Sequence, residues 1–150
     1  MSIYLDYNAS TPVAPEVAEA MQPFLREGFG NPSSRHWASV GLADALETAR
    51  WQVAALLGSK PGEIIFTSGG SEATNHALKG AYFKSEKRDA HIVTTQIEHP
   101  ATIETCRFLE RLGARVTYLP VNGQGILDPA DFRRAITTDT ILVSVMHANN

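Results

Sequence analysis

The sequence predicts an α/β fold, an open and largely parallel sheet with covering helices. Two observations carry this. From about residue 40 onward helical and strand-like segments alternate regularly, and each pair of neighbouring strands is separated by a single helix. Parallel strands need such crossovers, which are right-handed and bury both faces of the sheet.

The elements follow in order. Leu42, Leu46, Ala49, Val53 and Leu56 recur at helical spacing, and the segment stops at Gly58. Ile64-Ile65-Phe66-Thr67 reads as a short apolar strand. After Gly69-Gly70 a helix is expected from Ser71 to about Lys84, followed by a strand over 91–95. Pro100 suits the first turn of a helix ending near Gly113, and Arg115 to Leu119 is the next strand. Asp128-Pro129 caps a short helix to about Ile136, and Thr140 to Met146 is the last strand and the most hydrophobic one.

Composition narrows the function classes. The chain has 150 residues, 43% of them hydrophobic and 19% charged, as expected of one globular domain. The net charge of −3 is not gathered into blocks, so neither nucleic acid nor a membrane surface is expected as a partner. Cys106 is the only cysteine, which excludes an internal disulfide and a multi-cysteine zinc site; no metal is expected. The first residues carry no signal-peptide pattern and no apolar run is long enough to cross a bilayer, so a cytoplasmic location is expected.

Ligands of open α/β sheets bind outside the carboxyl ends of the strands. Thr67-Ser68-Gly69-Gly70-Ser71-Glu72 leads from a predicted strand into a helix start. Free amides and the positive end of the helix dipole favour an anion there, above all phosphate, and Ser71 adds a hydroxyl. The same residues also suit a plain turn with Ser71 as an N-cap. Gln96-Ile97-Glu98-His99-Pro100 places an imidazole at the same edge, where it can stack on a flat ligand and exchange protons; His99 can equally be an exposed residue at a helix start. His147-Ala148-Asn149-Asn150 brings three polar residues to the end of the last strand. Cys106 lies mid-helix and reads as a core thiol rather than a nucleophile.

These segments resemble the cysteine desulfurases of the class V aminotransferase group, which are pyridoxal-phosphate enzymes. Ile3 to Pro12 (IYLDYNASTP) is similar to the family's Y-L-D-x-x-A-T-T-P, and Gly30-Asn31-Pro32-Ser33-Ser34 to its G-N-P-[SA]-S loop. Phe66 to Asn75 resembles F-T-S-G-[AG]-T-E-x-[ND]-N, Glu98-His99 the E-H pair, and Met146 to Asn150 the M-x-x-N-N run. Ser71 replaces the usual threonine and Thr74 stands where an acid or amide is common.

The resemblance implies the large domain of a fold-type I pyridoxal-phosphate enzyme. Gly70 and Ser71 would bind the cofactor phosphate, His99 would stack on the pyridine ring and assist proton transfer, and Asn150 would hydrogen-bond the phenolic oxygen. It implies conversion of L-cysteine to L-alanine, with sulfur passed as an enzyme persulfide to iron–sulfur cluster or thio-cofactor assembly. Expected partners are L-cysteine, a second copy in a homodimer and a sulfur-acceptor or scaffold protein. The residues 1–150 would be an N-terminal segment plus part of the large domain, because the family's cofactor-bearing lysine, pyridinium acid and persulfide cysteine lie beyond the position of Asn150. The chain alone would then be inactive. Two other readings stay open: a non-catalytic fragment that at most binds the cofactor or a partner chain, and another class V activity such as a selenocysteine lyase or an aminotransferase.

Overall fold

The computed structural model describes residues 3–7 and 9–149. The chain divides into two compact units, 1–66 and 67–150, where length alone favours one domain.

The first unit holds two helices, α1 (Pro15–Arg26) and α2 (Leu42–Leu57), with short 3-10 turns at Trp37–Ser39 and Pro61–Glu63. The regular alternation after residue 40 says nothing of α1, although Pro15 and Glu16 in its first turn are ordinary helix-start residues. The helix α2 ends at Gly58, whose φ of 66° lets the Ser59 amide reach the Ala54 carbonyl at 2.9 Å.

Residues 64–67 form no strand, contrary to expectation. An apolar run becomes a strand only when another strand takes up its backbone groups. None of the described strands does so here. The Ile64 carbonyl instead accepts from Arg50, whose guanidinium also stands over the Phe66 ring at 5.0 Å. Ile65 stays 63% exposed.

The second unit is the α/β body. It runs α3 (Gly70–Lys84), β1 (His91–Thr95), α4 (Pro100–Leu112), β2 (Arg115–Leu119), α5 (Pro129–Ala135) and β3 (Thr140–Ser144). The strands are parallel in the order β2-β1-β3, with His91 opposite Arg115 and Thr95 opposite Leu119; β3 joins the other side of β1, slipping register after His91. The chain thus leaves β1 towards one side and crosses back to the other, and right-handed crossovers of opposite sense place α4 and α5 on opposite faces. Asp128 caps α5 as expected, accepting from the Ala130 amide at 2.7 Å.

The core lies between the sheet and the α3–α4 pair. Leu78, Tyr82, Ile92, Cys106 and Leu109 are buried together, each large aliphatic member contributing roughly 1.5–3 kcal/mol. All five residues of β1 are buried because it is the central strand. The most apolar strand by sequence, β3, is only half-buried: it is an edge among the described strands, and it ends at Ser144 rather than Met146. Hydrophobicity reports how much burial a strand tolerates, whereas position in the sheet sets how much it receives.

Candidate functional site

The helix α3 starts one residue earlier than expected. Gly69 is its N-cap and makes no side-chain cap bond, so Ser71 is the second helical residue and not the cap. The amides of the first turn have no carbonyl four residues back to bond. Glu72 does not take them: its carboxylate turns back to accept from the Ser68 amide at 2.6 Å and the Ser68 hydroxyl at 2.7 Å. Those two bonds, the hydroxyl first, hold the Glu72 carboxyl below its ordinary range. A Cβ built on Gly69 or Gly70 would meet nothing within 4 Å among the described residues beyond its chain neighbours and its own helix backbone, so these two positions are uncrowded. The Ser71 hydroxyl makes no hydrogen bond among the described residues.

At the carboxyl end of β1 the chain passes through 96–99 into α4. His99 is the N-cap of α4, with Nδ1 accepting from the Ala101 amide at 3.1 Å. A ring nitrogen that accepts carries no proton, so the neutral imidazole bears its proton on Nε2, which has no protein partner among the described residues. Pro100, lacking an N–H, costs nothing at the first helical position.

Next to it, Glu98 is 8% exposed. Its Oε1 accepts from the Thr95 hydroxyl at 2.8 Å and from the Met146 amide at 2.7 Å. A second tie joins the same segments, the Asn149 side-chain amide donating to the Ile97 carbonyl at 2.8 Å. The loops after β1 and β3 are thereby fastened together.

Between them lies an open cleft of about 390 Å³, lined by Thr74, Ala77 and Leu78 of α3, Glu98 and His99 after β1, the last residues of β3 and 145–146 beyond it. Of the residues expected to form a site, His99 lines this cleft. Gly70 and Ser71 do not line it, but they sit one helical turn before Thr74, which does. Asn150 lies outside the described residues. Sequence reasoning attached no function to Glu98, although the Thr95-x-x-Glu98 spacing is that of a capping box. Cys106 is fully buried in α4, with burial, and after it Glu110, raising its thiol to about 11. A thiol so protonated is no nucleophile.

The lysines of this unit stand elsewhere. Lys79 lies over the Phe108 ring at 4.8 Å, Lys84 closes the last turn of α3, and Lys87 pairs with Asp139 at 3.9 Å before the strands begin, at the edge opposite His99. No group of three or more potential metal ligands occurs among the described residues.

Residues 3–150 match the family model described as Aminotransferase class-V. The chain belongs to the class-V aminotransferase family. Among its curated relatives, cysteine desulfurase IscS of Dictyoglomus turgidum is 52% identical over 148 residues, covering 99% of this chain and 38% of that protein. The corresponding protein of Clostridium botulinum (strain Kyoto / Type A2) is 51% identical, covering 99% and 37%. Among solved structures, a NifS-like protein has a TM-score of 0.93 at 42% identity, covering 99% of this chain and 41% of that one. SspA in complex with cysteine has a TM-score of 0.91 at 40% identity, covering 99% and 43%. This class-V chain therefore spans about two fifths of the length of the proteins it matches.

Proposed function

We propose that the class-V chain is the N-terminal part of a pyridoxal-phosphate-dependent cysteine desulfurase. The observation that carries this reading is the open, uncommitted first turn of α3, adjoining a cleft that His99 lines. The residues present fit the cofactor. The amides of Gly70 and Ser71 and the Ser71 hydroxyl supply donors for a phosphate dianion, and Gly69 and Gly70 are uncrowded among the described residues. His99 offers a ring face to a flat heterocycle and a proton at Nε2, and Asn150 is assigned to the phenolic oxygen by its motif. Pyridoxal phosphate, when bound, supplies an electron sink for the bonds at the amino-bearing carbon.

The chain's own residues bind and orient. Glu72, drawn back to Ser68, keeps its charge off the phosphate donors. His99 holds or moves a proton, its orientation set by the bond to Ala101. In the whole protein L-cysteine loses its C–S bond, the sulfur passes to a protein thiol as a persulfide, that thiol's proton balances the new C–H bond, and L-alanine leaves. The persulfide then goes to a sulfur-acceptor or scaffold protein for iron–sulfur cluster or thio-cofactor assembly. By the family resemblance we assign the whole protein to the cytoplasm as a homodimer.

The 150-residue chain alone is read as inactive, since none of the lysines in residues 67–150 lines the cleft and its one thiol is buried. Supplying L-cysteine and a thiol to the full-length protein tests the reading: equimolar L-alanine and persulfide or sulfide are expected. A 2-oxo acid as product would instead make it an aminotransferase, and alanine formed only from selenocysteine a selenocysteine lyase.

A further inference from the structure

We propose that Glu98 is a positioning residue that locks the two loops of the cleft together and so sets the direction of His99. Its carboxylate is almost fully buried, with no Lys or Arg within ion-pair distance among the described residues. An unpaired buried carboxylate is costly, and its hydrogen bonds must offset that cost. Those bonds are specific. One oxygen receives the Thr95 hydroxyl, at the last residue of β1, and the Met146 amide, two residues beyond β3. The Asn149–Ile97 bond runs parallel to them. Glu98 precedes His99 directly, so fixing its carboxylate fixes the peptide from which the imidazole projects; His99 then adds its own bond to Ala101.

The clamp also holds 146–149 against 97–98, the run that carries the last polar residues to the cleft side of the sheet. An apolar residue at 98 would fill the space but leave the Met146 amide unpaired. Glutamine keeps an acceptor oxygen on the same stem, so position rather than charge is what the arrangement requires.

The test is amide hydrogen exchange on the full-length protein, with pyridoxal-phosphate affinity read in parallel by absorbance; the affinity arm rests on the cofactor reading above. In Glu98→Ala and in the near-isosteric Thr95→Val, Met146 is expected to exchange about tenfold faster, as loss of one buried hydrogen bond implies. The sheet amides of Val93 and Val116 report global folding and are expected to hold their protection. Glu98→Gln is expected to restore Met146 protection and cofactor affinity together, and Glu98→Ala to weaken affinity about tenfold. Unchanged Met146 exchange in both Glu98→Ala and Thr95→Val overturns the clamp. A glutamine variant as loose as the alanine one does the same, and loosened exchange with undiminished affinity overturns the positioning of His99. If the unsubstituted full-length protein takes up no pyridoxal phosphate, the cofactor reading fails, while Met146 exchange still decides whether Glu98 fastens the loops.

Discussion

His91 Nδ1 and Thr140 Oγ1 meet at 2.8 Å, and on the far side of the same ring Nε2 meets Thr117 Oγ1 at 2.8 Å. One imidazole thus ties the first residue of β1 to both neighbouring strands. In the neutral ring one nitrogen donates to its threonine oxygen and the other accepts from its threonine hydroxyl, so either tautomer satisfies both bonds. Burial first, and then Arg115, lower the His91 pKa, while Asp139 opposes them. The unfolded chain therefore binds a proton here that the folded chain resists. The resulting stability is full above the unfolded value near about 6.5 and is lost as pH falls through the folded one. Denaturant midpoints measured from pH 7.5 down to 5.5 should fall, and the fall should be shallower in His91→Gln, itself about 1–3 kcal/mol less stable at neutral pH through its lost bonds.

The thiol of Cys106 gives a second expectation. With its pKa raised to about 11, roughly one molecule in a thousand carries a thiolate at pH 8. Alkylation by iodoacetamide should run about a hundredfold slower in the folded chain than in urea, where an ordinary thiol value returns. Fast labelling of the native protein would show the core between α3 and α4 to be open.

Two glycines should respond to alanine with opposite sign. Gly113 ends α4 at φ 110°, and a Cβ there would lie 2.8 Å from Arg88 Cγ and 3.2 Å from the Arg88 carbonyl oxygen. Gly113→Ala should cost about 1–3 kcal/mol. Gly80 is exposed within α3 with nothing within 4 Å of its built Cβ, so Gly80→Ala should stabilise by about 0.5–1 kcal/mol. Thermal denaturation of the two variants distinguishes these directions.

The parts of the fold that were legible in the sequence are those stabilised by their near neighbours. Gly58 and Gly113 end helices by local backbone geometry, Asp128 and Pro100 start them, and β1 and β2 keep their expected bounds because their helices pack beside them in sequence order. Residues 64–67 have strand composition but gain strand geometry only from a partner, which composition does not contain. The helix α1 precedes the alternating pattern and buries no residue, so periodicity gives it little weight. At the site, residue types pointed to His99, which lines the cleft, and to the α3 turn, which does not. Glu98 is visible in the sequence as half of the Glu98-His99 pair, but its bond to Met146, forty-eight residues away, is not legible because only the meeting of β1 and β3 creates it.

The central claim, that the first turn of α3 binds a phosphate group, is most directly tested by titrating the chain with pyridoxal phosphate and competing with inorganic phosphate. Saturable binding is expected, and borohydride should leave no reduced adduct at Lys79, Lys84 or Lys87, which stand away from the cleft. Ser71→Ala should weaken binding about tenfold by removing one donor to a charged group. Gly70→Val should weaken it further, because its side chain would project into space that the fold itself leaves open. Affinity unchanged in both variants, with phosphate failing to compete, would contradict the account.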